Sequence, residues 1–172
     1  MSAANLLNRA LNVDNGEEFN TDYLLCPELD SAFGTISDIK FTSGTWTERD
    51  TQKERIWANL QLLWSIDSDE AREATKRDKV TVAQPLMLNF TDEGDLDKTN
   101  NQPLARLLKM FSIQASEHKD LQSLFNAFKH QTGYVKVKHR FLVNKEKEPL
   151  LDESGNQRVS AEVVAVSLEP AA

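Results

Sequence analysis

The chain has 172 residues, of which 40% are hydrophobic and 27% are charged, and its formal net charge is −7. These values predict one globular domain with appendages and exclude a low-complexity chain. No apolar run approaches the length of a transmembrane helix, and the N-terminal MSAANLLNRALN does not have the pattern of a secretory signal. The single cysteine, Cys26, cannot form an internal disulfide. We therefore expect a cytoplasmic protein, in the host cytoplasm if it is viral.

Acidic and basic side chains are concentrated in different parts of the chain. Residues 1–32 contain one basic and six acidic side chains, whereas residues 129–147 contain six basic and one acidic. The net acidity argues against a generally basic nucleic-acid binder, but a local basic surface can still bind phosphate. We expect residues 1–32 to form an acidic arm and residues 33–172 to form the main domain. The arm is predicted to contain a short helix over residues 3–12, with an apolar side made of Leu6, Leu7, Ala10 and Leu11.

The first two predicted strands cover residues 33–41 and 55–67, which are rich in β-branched, aromatic or alternating apolar residues. In the second strand, alternate positions form one continuous apolar row, made of Ile56, Ala58, Leu60, Leu62, Trp64 and Ile66. This pattern places Trp64 in the core and Trp57 on the opposite, wetter row. The polar loop between the two strands carries Trp46, Arg49 and Lys53.

A charged segment, residues 68–79, predicts a short helix or a long loop before a third strand over residues 80–90. Gln84 interrupts the apolar row of this strand. Pro85 predicts an edge position or a bulge, because proline donates no backbone hydrogen bond to a sheet.

Two helical stretches are predicted after the third strand. Pro103 suits the first position of a helix, and the apolar spacing continues from Leu104 to Phe111. A second stretch over residues 120–130 has a similar apolar stripe, and Gly133 is expected to end it.

The stretch GYVKVKHRFLV, residues 133–143, alternates between two kinds of side chain. One row, made of Val135, Val137, Phe141 and Val143, is apolar except for His139, which we expect to be a hydrogen-bonded residue at the edge of the core. The opposite row is basic and partly aromatic, and consists of Tyr134, Lys136, Lys138 and Arg140. This period of two predicts a strand. A charged hairpin loop and a last strand over residues 159–168 follow, with Val159, Ala161, Val163 and Ala165 predicted on one side.

The predicted order is β-β-β-α-β-β, which is that of the five-stranded OB barrel, a fold that binds oligonucleotides on a strand face and its flanking loops. The fold expected from the sequence is therefore a β-rich α+β protein, an OB-like barrel with an N-terminal acidic arm.

No enzyme signature is visible in the sequence. The three histidines and one cysteine lack metal-ligand spacing, and neither a glycine-rich phosphate loop nor a GxSxG motif is present. Asp67, Asp69 and Glu70 follow a strand, where a nuclease could place metal-binding carboxylates, but a solvated turn is the simpler interpretation. We expect no catalytic residues, no metal and no cofactor.

Candidate nucleic-acid contacts are the basic row of residues 134–140, for phosphates and stacking, and Trp57, Trp46, Arg49 and Lys53. These candidate contacts also have interpretations that involve no nucleic acid. The basic row could be the solvated outer face of an edge strand, where lysines prevent aggregation. Trp57 could pack under the arm or a helix, and Trp46 could anchor its loop on the barrel.

Four stretches together resemble small bacteriophage proteins that bind single-stranded DNA or take part in replication. They are ANLQLLWSID, RDKVTVAQPLMLNFTDEGDLD, NQPLARLLKMF and GYVKVKHR. The resemblance covers about residues 33–168 and implies an OB-type barrel that coats single strands during phage replication or recombination. The chain departs from familiar single-strand binders at its tail. Those proteins commonly end in an acidic cluster that recruits partners, whereas SLEPAA, from Ser167, has one acidic residue.

The first hypothesis is a non-enzymatic single-stranded DNA-binding protein of replication, recombination or repair, with replication or recombination proteins as further partners and no membrane contact. Homo-oligomerisation is left open. The second is an acidic OB-like adaptor or inhibitor that binds a protein instead of nucleic acid, which the net charge and the acidic arm favour. If the arm covers the basic row, it competes with DNA.

Overall fold

The computed structural model describes residues 24–172, so the predicted helix over residues 3–12 lies outside the described residues. Within them, the chain forms strands β1 (Leu29–Thr47), β2 (Glu54–Asp67), β3 (Val80–Leu88), β4 (Thr132–Phe141) and β5 (Val159–Ser167). The helices are α1 (Asp69–Thr75), α2 (Gln102–Met110) and α3 (Leu121–Asn126), with a 3₁₀ turn at Ala115–Glu117. The predicted sequence of three strands, a helical connection and two strands is confirmed.

The five strands form one sheet that closes on itself in the order β1-β2-β3-β5-β4. β1 pairs with both β2 and β4, and every pairing is antiparallel except β3 with β5, which is parallel at Ala83 and Glu162. A closed sheet encloses the inward-facing rows of its strands. The β-rich α+β class is therefore confirmed.

Trp64 fills the centre of the sheet, fully buried as predicted. Its indole Nε1 donates a 2.9 Å hydrogen bond to Oε1 of Gln84, which explains the polar residue on the apolar row of β3. Gly34 of β1 and Gly133 of β4 are paired beside this ring. A Cβ on Gly34 would lie 3.2 Å from Cε3 of Trp64, and one on Gly133 would lie 3.0 Å from the Ser167 carbonyl oxygen.

Gly133 therefore lies inside β4 and leaves room in the core, and the prediction that it ends a helix was wrong. α3 ends seven residues earlier, at Asn126. The predicted continuation to His130 fails because Phe128 and Lys129 donate to the carbonyl groups three residues back, which tightens the turn, and His130 then has a left-handed φ of 70°. α3 begins as expected, since the Asp120 side chain accepts a hydrogen bond from the backbone N–H of Ser123.

β1 begins at Leu29, four residues before the expected Phe33, and extends to Thr47, past the expected end at Phe41. The polar loop that was expected to carry Trp46 therefore starts later, and Trp46 belongs to a strand. Pro85 lies opposite Gln61 without a bulge, and on its other side β3 pairs with β5 at one position only. The edge-like position of Pro85 is thus confirmed.

β5 changes face in its middle. The pairing with β4 shifts between Lys136 and Val137, which adds one residue to β5, Val164. After this bulge Val166 packs against the core, whereas Ala165 is exposed. The predicted single row from Val159 to Ala165 is therefore correct only up to Val163, because a bulge reverses the alternation beyond it.

No helix within residues 24–172 is long and apolar enough to cross a bilayer.

Candidate nucleic-acid interface

The predicted contact residues fall into two separate groups. Tyr134 of β4 lies beside Phe33, near the start of β1. Trp46 lies near the opposite end of the same strand, opposite Arg55 of β2. About 40 Å of strand separates the two positions along the chain. The candidate contacts therefore form two surfaces. We call them the β4 basic row (Tyr134, Lys136, Lys138 and Arg140) and the tryptophan face (the outer face of β1, β2 and β3 that carries Trp46 and Trp57).

Each cation of the β4 basic row has a carboxylate partner. Lys136 Nζ is 3.2 Å from Oδ1 of Asp30, Lys138 Nζ is 2.9 Å from Oε2 of Glu28, and a guanidinium nitrogen of Arg140 is 3.3 Å from Oε2 of Glu162. Glu28 precedes β1, Asp30 lies on β1, and Glu162 lies on β5. In this arrangement a carboxylate neutralises each cation of the β4 basic row, and a phosphate must displace that carboxylate to bind there.

Glu28 is the most connected of these acids. Besides Lys138, its carboxylate accepts a 3.0 Å hydrogen bond from the backbone N–H of His139. The hydrogen bond from the His139 backbone and then the one from Lys138 lower the pKa of Glu28. The hydrogen bond to Glu28 in turn raises the pKa of Lys138. The ring Nε2 of His139 is 2.8 Å from the carbonyl oxygen of Cys26. His139 is thus the hydrogen-bonded residue that the sequence predicted.

Tyr134 is half-buried and its ring meets Phe33 edge to face, with centroids 5.6 Å apart. A ring engaged in this way has less free face for a base than an isolated one. The β4 basic row therefore combines paired cations with a partly covered aromatic ring.

The tryptophan face is more open. Trp57 and Gly44 are cross-strand partners, and a Cβ on Gly44 would lie 2.7 Å from Nε1 of Trp57, so the indole lies against the glycine backbone. Cross-strand partners and alternate residues of a strand point to the same side of a sheet. Trp46 therefore shares the outer face with Trp57, and the two are 50% and 39% exposed. No helix within residues 24–172 buries Trp57, and the part of the arm that precedes residue 24 lies outside the described residues.

The same outer face continues along three strands through residues that sequence reasoning did not select. They are Lys40 and Thr42 of β1, Asn59 and Gln61 of β2, and Met87 of β3. The alternation of side chains along β2 already indicated that Asn59 and Gln61 lie on this face. The pairing of the strands was needed to place Lys40 and Met87 beside them. The side-chain Oδ1 of Asn59 is enclosed and has no hydrogen-bond partner among residues 24–172. A buried acceptor without a hydrogen-bond partner is uncommon in folded proteins.

Some basic residues near the tryptophan face form ion pairs with carboxylates, and others do not. Lys53 Nζ is 3.3 Å from Oδ2 of Asp92, and Arg55 is bonded both to Asp92 and, at 3.4 Å, to Glu48. The hydrogen bond from Lys53 and then the charge of Arg55 lower the pKa of Asp92. The guanidinium of Arg49 and the ammonium of Lys40 form no ion pair with any residue in the described range.

The carboxylates after β2 are bound by an arginine. Asp67 and Asp69 accept hydrogen bonds of 2.9 and 2.6 Å from Arg72. Between residues 24 and 172, no group of three or more histidine, cysteine, aspartate or glutamate side chains could hold a metal ion. Arg72 thus occupies both carboxylates.

No protein-family model, no curated protein and no solved structure matches this chain. The resemblance to phage single-strand binders stays a prediction.

Proposed function

We propose that the protein binds single-stranded DNA without catalysis, and that the tryptophan face is its primary contact surface. The observation that carries the proposal is the pair of half-exposed indoles, Trp46 and Trp57, on one outer face that also carries Lys40, a cation that forms no ion pair in the described range. The closed sheet, in the order β1-β2-β3-β5-β4, agrees with an OB-like barrel. Strand faces of that fold bind oligonucleotides.

Each part of the surface suits a different part of a single strand. Bases stack on exposed indoles, and this contributes about 1–3 kcal/mol per base without strong sequence preference. Lys40 and Arg49 supply cations for the phosphates that follow the bases. Binding through these contacts is sequence-tolerant and weakens with added salt.

A biological role follows from this chemistry together with the resemblance. A protein that coats single strands without cleaving them acts where such strands are exposed, in replication, recombination or repair of DNA. In a phage, this would take place in the host cytoplasm.

Tryptophan fluorescence tests the proposal directly. Trp64 is fully buried, so only Trp46 and Trp57 are available for quenching by a stacked base. We expect oligo-dT to quench the intact protein at low salt and to bind about tenfold more weakly to Trp57→Ala. Val164→Ala is the control, since this 55% exposed residue lies on β5, outside the tryptophan face. An intact protein that shows neither quenching nor gel retardation with oligo-dT would refute DNA binding.

A second candidate function is that of an acidic adaptor or inhibitor that binds a protein. It is favoured by the carboxylates that occupy the β4 basic row and by the net charge of −7. In that case, the protein would not bind oligo-dT and would form a defined complex with a protein that has a basic surface.

A further inference from the structure

Three large side chains are evenly spaced along a diagonal of the tryptophan face. Trp46 lies on β1 opposite Arg55, which is two residues before Trp57 on β2. Met87 lies on β3 opposite Asn59, which is two residues after Trp57. Each step of the diagonal therefore crosses one strand and advances two residues in the same direction. Diagonal neighbours of this kind are about 7–8 Å apart, so Trp46, Trp57 and Met87 form one continuous row, which we call the diagonal row.

Met87 is exposed to solvent like the two tryptophans of the diagonal row. Its 64% exposure is the largest of any large hydrophobic residue within residues 24–172. Methionine is unbranched, and its polarisable sulfur makes favourable contacts with aromatic rings. Apolar side chains that lie next to each other and stay exposed indicate a binding surface. Met87 therefore has the position and the chemistry to support a further ring beside those that stack on the two indoles.

The strand pairing limits the diagonal row to three positions. At Trp46, β1 pairs with β2 alone, because its pairing with β4 covers only residues 29–35. Beyond Met87 the next strand would be β5, but β3 and β5 pair only at Ala83. Within the described residues, no paired strand therefore adds a fourth support at either end of the row.

The outer-face positions beside the diagonal row carry no acidic side chain. Apart from two cations they are small or neutral, namely Thr42, Gly44, Asn59, Gln61 and Pro85. One cation, Lys40, forms no ion pair within residues 24–172, and the other, Arg55, is bonded to Asp92 and Glu48 from the neighbouring loops. In a protein with a net charge of −7, a face without acids favours an anionic ligand.

We propose that the diagonal row binds three successive bases of one DNA strand, one each on Trp46, Trp57 and Met87. This inference rests on the proposed function and adds to it a third support and a number of bases. Steps of about 7–8 Å are about twice the spacing of about 3.4 Å between neighbouring nucleotides of a duplex strand, so bases bound in this way have left their stack. The flexible backbone of a single strand extends over such a step, whereas a duplex keeps its bases paired and stacked. The diagonal row thus selects single strands.

Methyl NMR on the full chain tests the proposal with Met87 as the probe. A base stacked on Met87 shields its Cε methyl group, so we expect an upfield shift of that signal when a thymidine trinucleotide is added. Met87→Leu assigns the signal, and Met110, at the end of α2, is the internal control that should not move. Tryptophan quenching without a shift at Met87 would overturn this inference and leave the proposed function intact. The absence of both quenching and shift would refute DNA binding itself.

Oligonucleotide length tests whether the three bases are successive. At saturation, the trinucleotide should shift the Met87 methyl signal as far as a thymidine hexanucleotide does. A shift with the hexanucleotide alone would mean that the bases on Trp57 and Met87 are not neighbours in the DNA, and would overturn the proposal.

Affinity measurements give a second readout. Met87→Ala should weaken binding of the hexanucleotide about fivefold, because a contact between sulfur and an aromatic ring is weaker than stacking on an indole. Leu151→Ala is the matched control, since Leu151 is 57% exposed in the loop between β4 and β5, and it should leave the affinity unchanged. Equal affinities of the two variants would show that Met87 supports no base.

Discussion

The indole of Trp57 rests on the backbone of Gly44, its partner across β1 and β2, at a distance that leaves no room for a Cβ. Glycine at this position thus supports the ring as a flat surface on the outside of the sheet. Trp46, on the same face and 50% exposed, extends that surface.

Gly44→Ala should displace the indole of Trp57. A Cβ would come within 2.7–2.9 Å of three ring atoms, so the ring must move away from the strand. We expect a changed tryptophan emission and an affinity for oligo-dT about tenfold lower, because the loss of one stacked base contributes about 1–3 kcal/mol. Ser43→Ala, at the neighbouring exposed position, should leave both unchanged. Unchanged DNA affinity together with a shifted emission would mean that Trp57 does not stack bases.

Glu28→Gln combined with Asp30→Asn should release Lys136 and Lys138 from their partners. If these cations then reach phosphates, DNA binding strengthens, and its logarithmic salt dependence steepens by about 1.4 for two added contacts on a single strand. Salt titrations of oligo-dT binding measure both quantities. Glu93→Gln with Glu117→Gln makes the same change in net charge at two exposed positions. An equal effect in both double variants would attribute it to overall charge and not to the β4 basic row.

The pH dependence of stability should report the contacts of Glu28. Its pKa is lower in the folded protein than the ordinary value of 4.5, because the carboxylate accepts hydrogen bonds from the His139 backbone and from Lys138. A lowered pKa means that this stabilisation is complete above the ordinary value and disappears as the pH falls through the folded value. The difference in melting temperature between the intact protein and Glu28→Gln should therefore be constant near neutral pH and shrink below about pH 4.5. A difference that stays constant down to pH 2 would contradict it.

Gln84→Leu should destabilise the fold by about 1–3 kcal/mol, because it leaves the buried Nε1 of Trp64 without an acceptor. Urea unfolding measures the change. Gln61→Leu, at a half-buried position on the outer row of β2, should cost much less. Adding Trp64→Phe to Gln84→Leu removes the orphaned donor, so the double variant should lose less than the sum of the two single changes. Strict additivity would show that the hydrogen bond contributes nothing.

The β2 alternation predicted the buried row around Trp64 and the exposed position of Trp57, because a strand places alternate residues on opposite faces whatever surrounds it. The same argument failed at Phe141 and beyond Val163. Alternation does not reveal where a neighbouring strand ends or where a bulge inserts a residue. Both depend on pairing between strands that are far apart in the sequence.

The candidate site also has some features that the sequence predicts and others that depend on tertiary contacts. The basic and aromatic character of residues 134–140 is a property of the sequence, but their pairing with Glu28, Asp30 and Glu162 is not. Glu28 and Asp30 come from the start of β1 and Glu162 comes from β5, and the pairing of both strands with β4 brings the acids to the basic row. The outer face around Trp57 likewise gains Lys40 and Met87 only through the register of β1, β2 and β3.

The sequence by itself determined the order of strands and helices, the central position of Trp64 and the two kinds of side chain along β4, because these follow from local periodicity. The tertiary structure alone decided which surfaces remain available. In it, carboxylates neutralise the cations of the β4 basic row, the tryptophan face stays exposed within residues 24–172, and Phe141 is exposed at the end of β4. Each of these outcomes requires contacts between distant segments, and local periodicity carries no information about them.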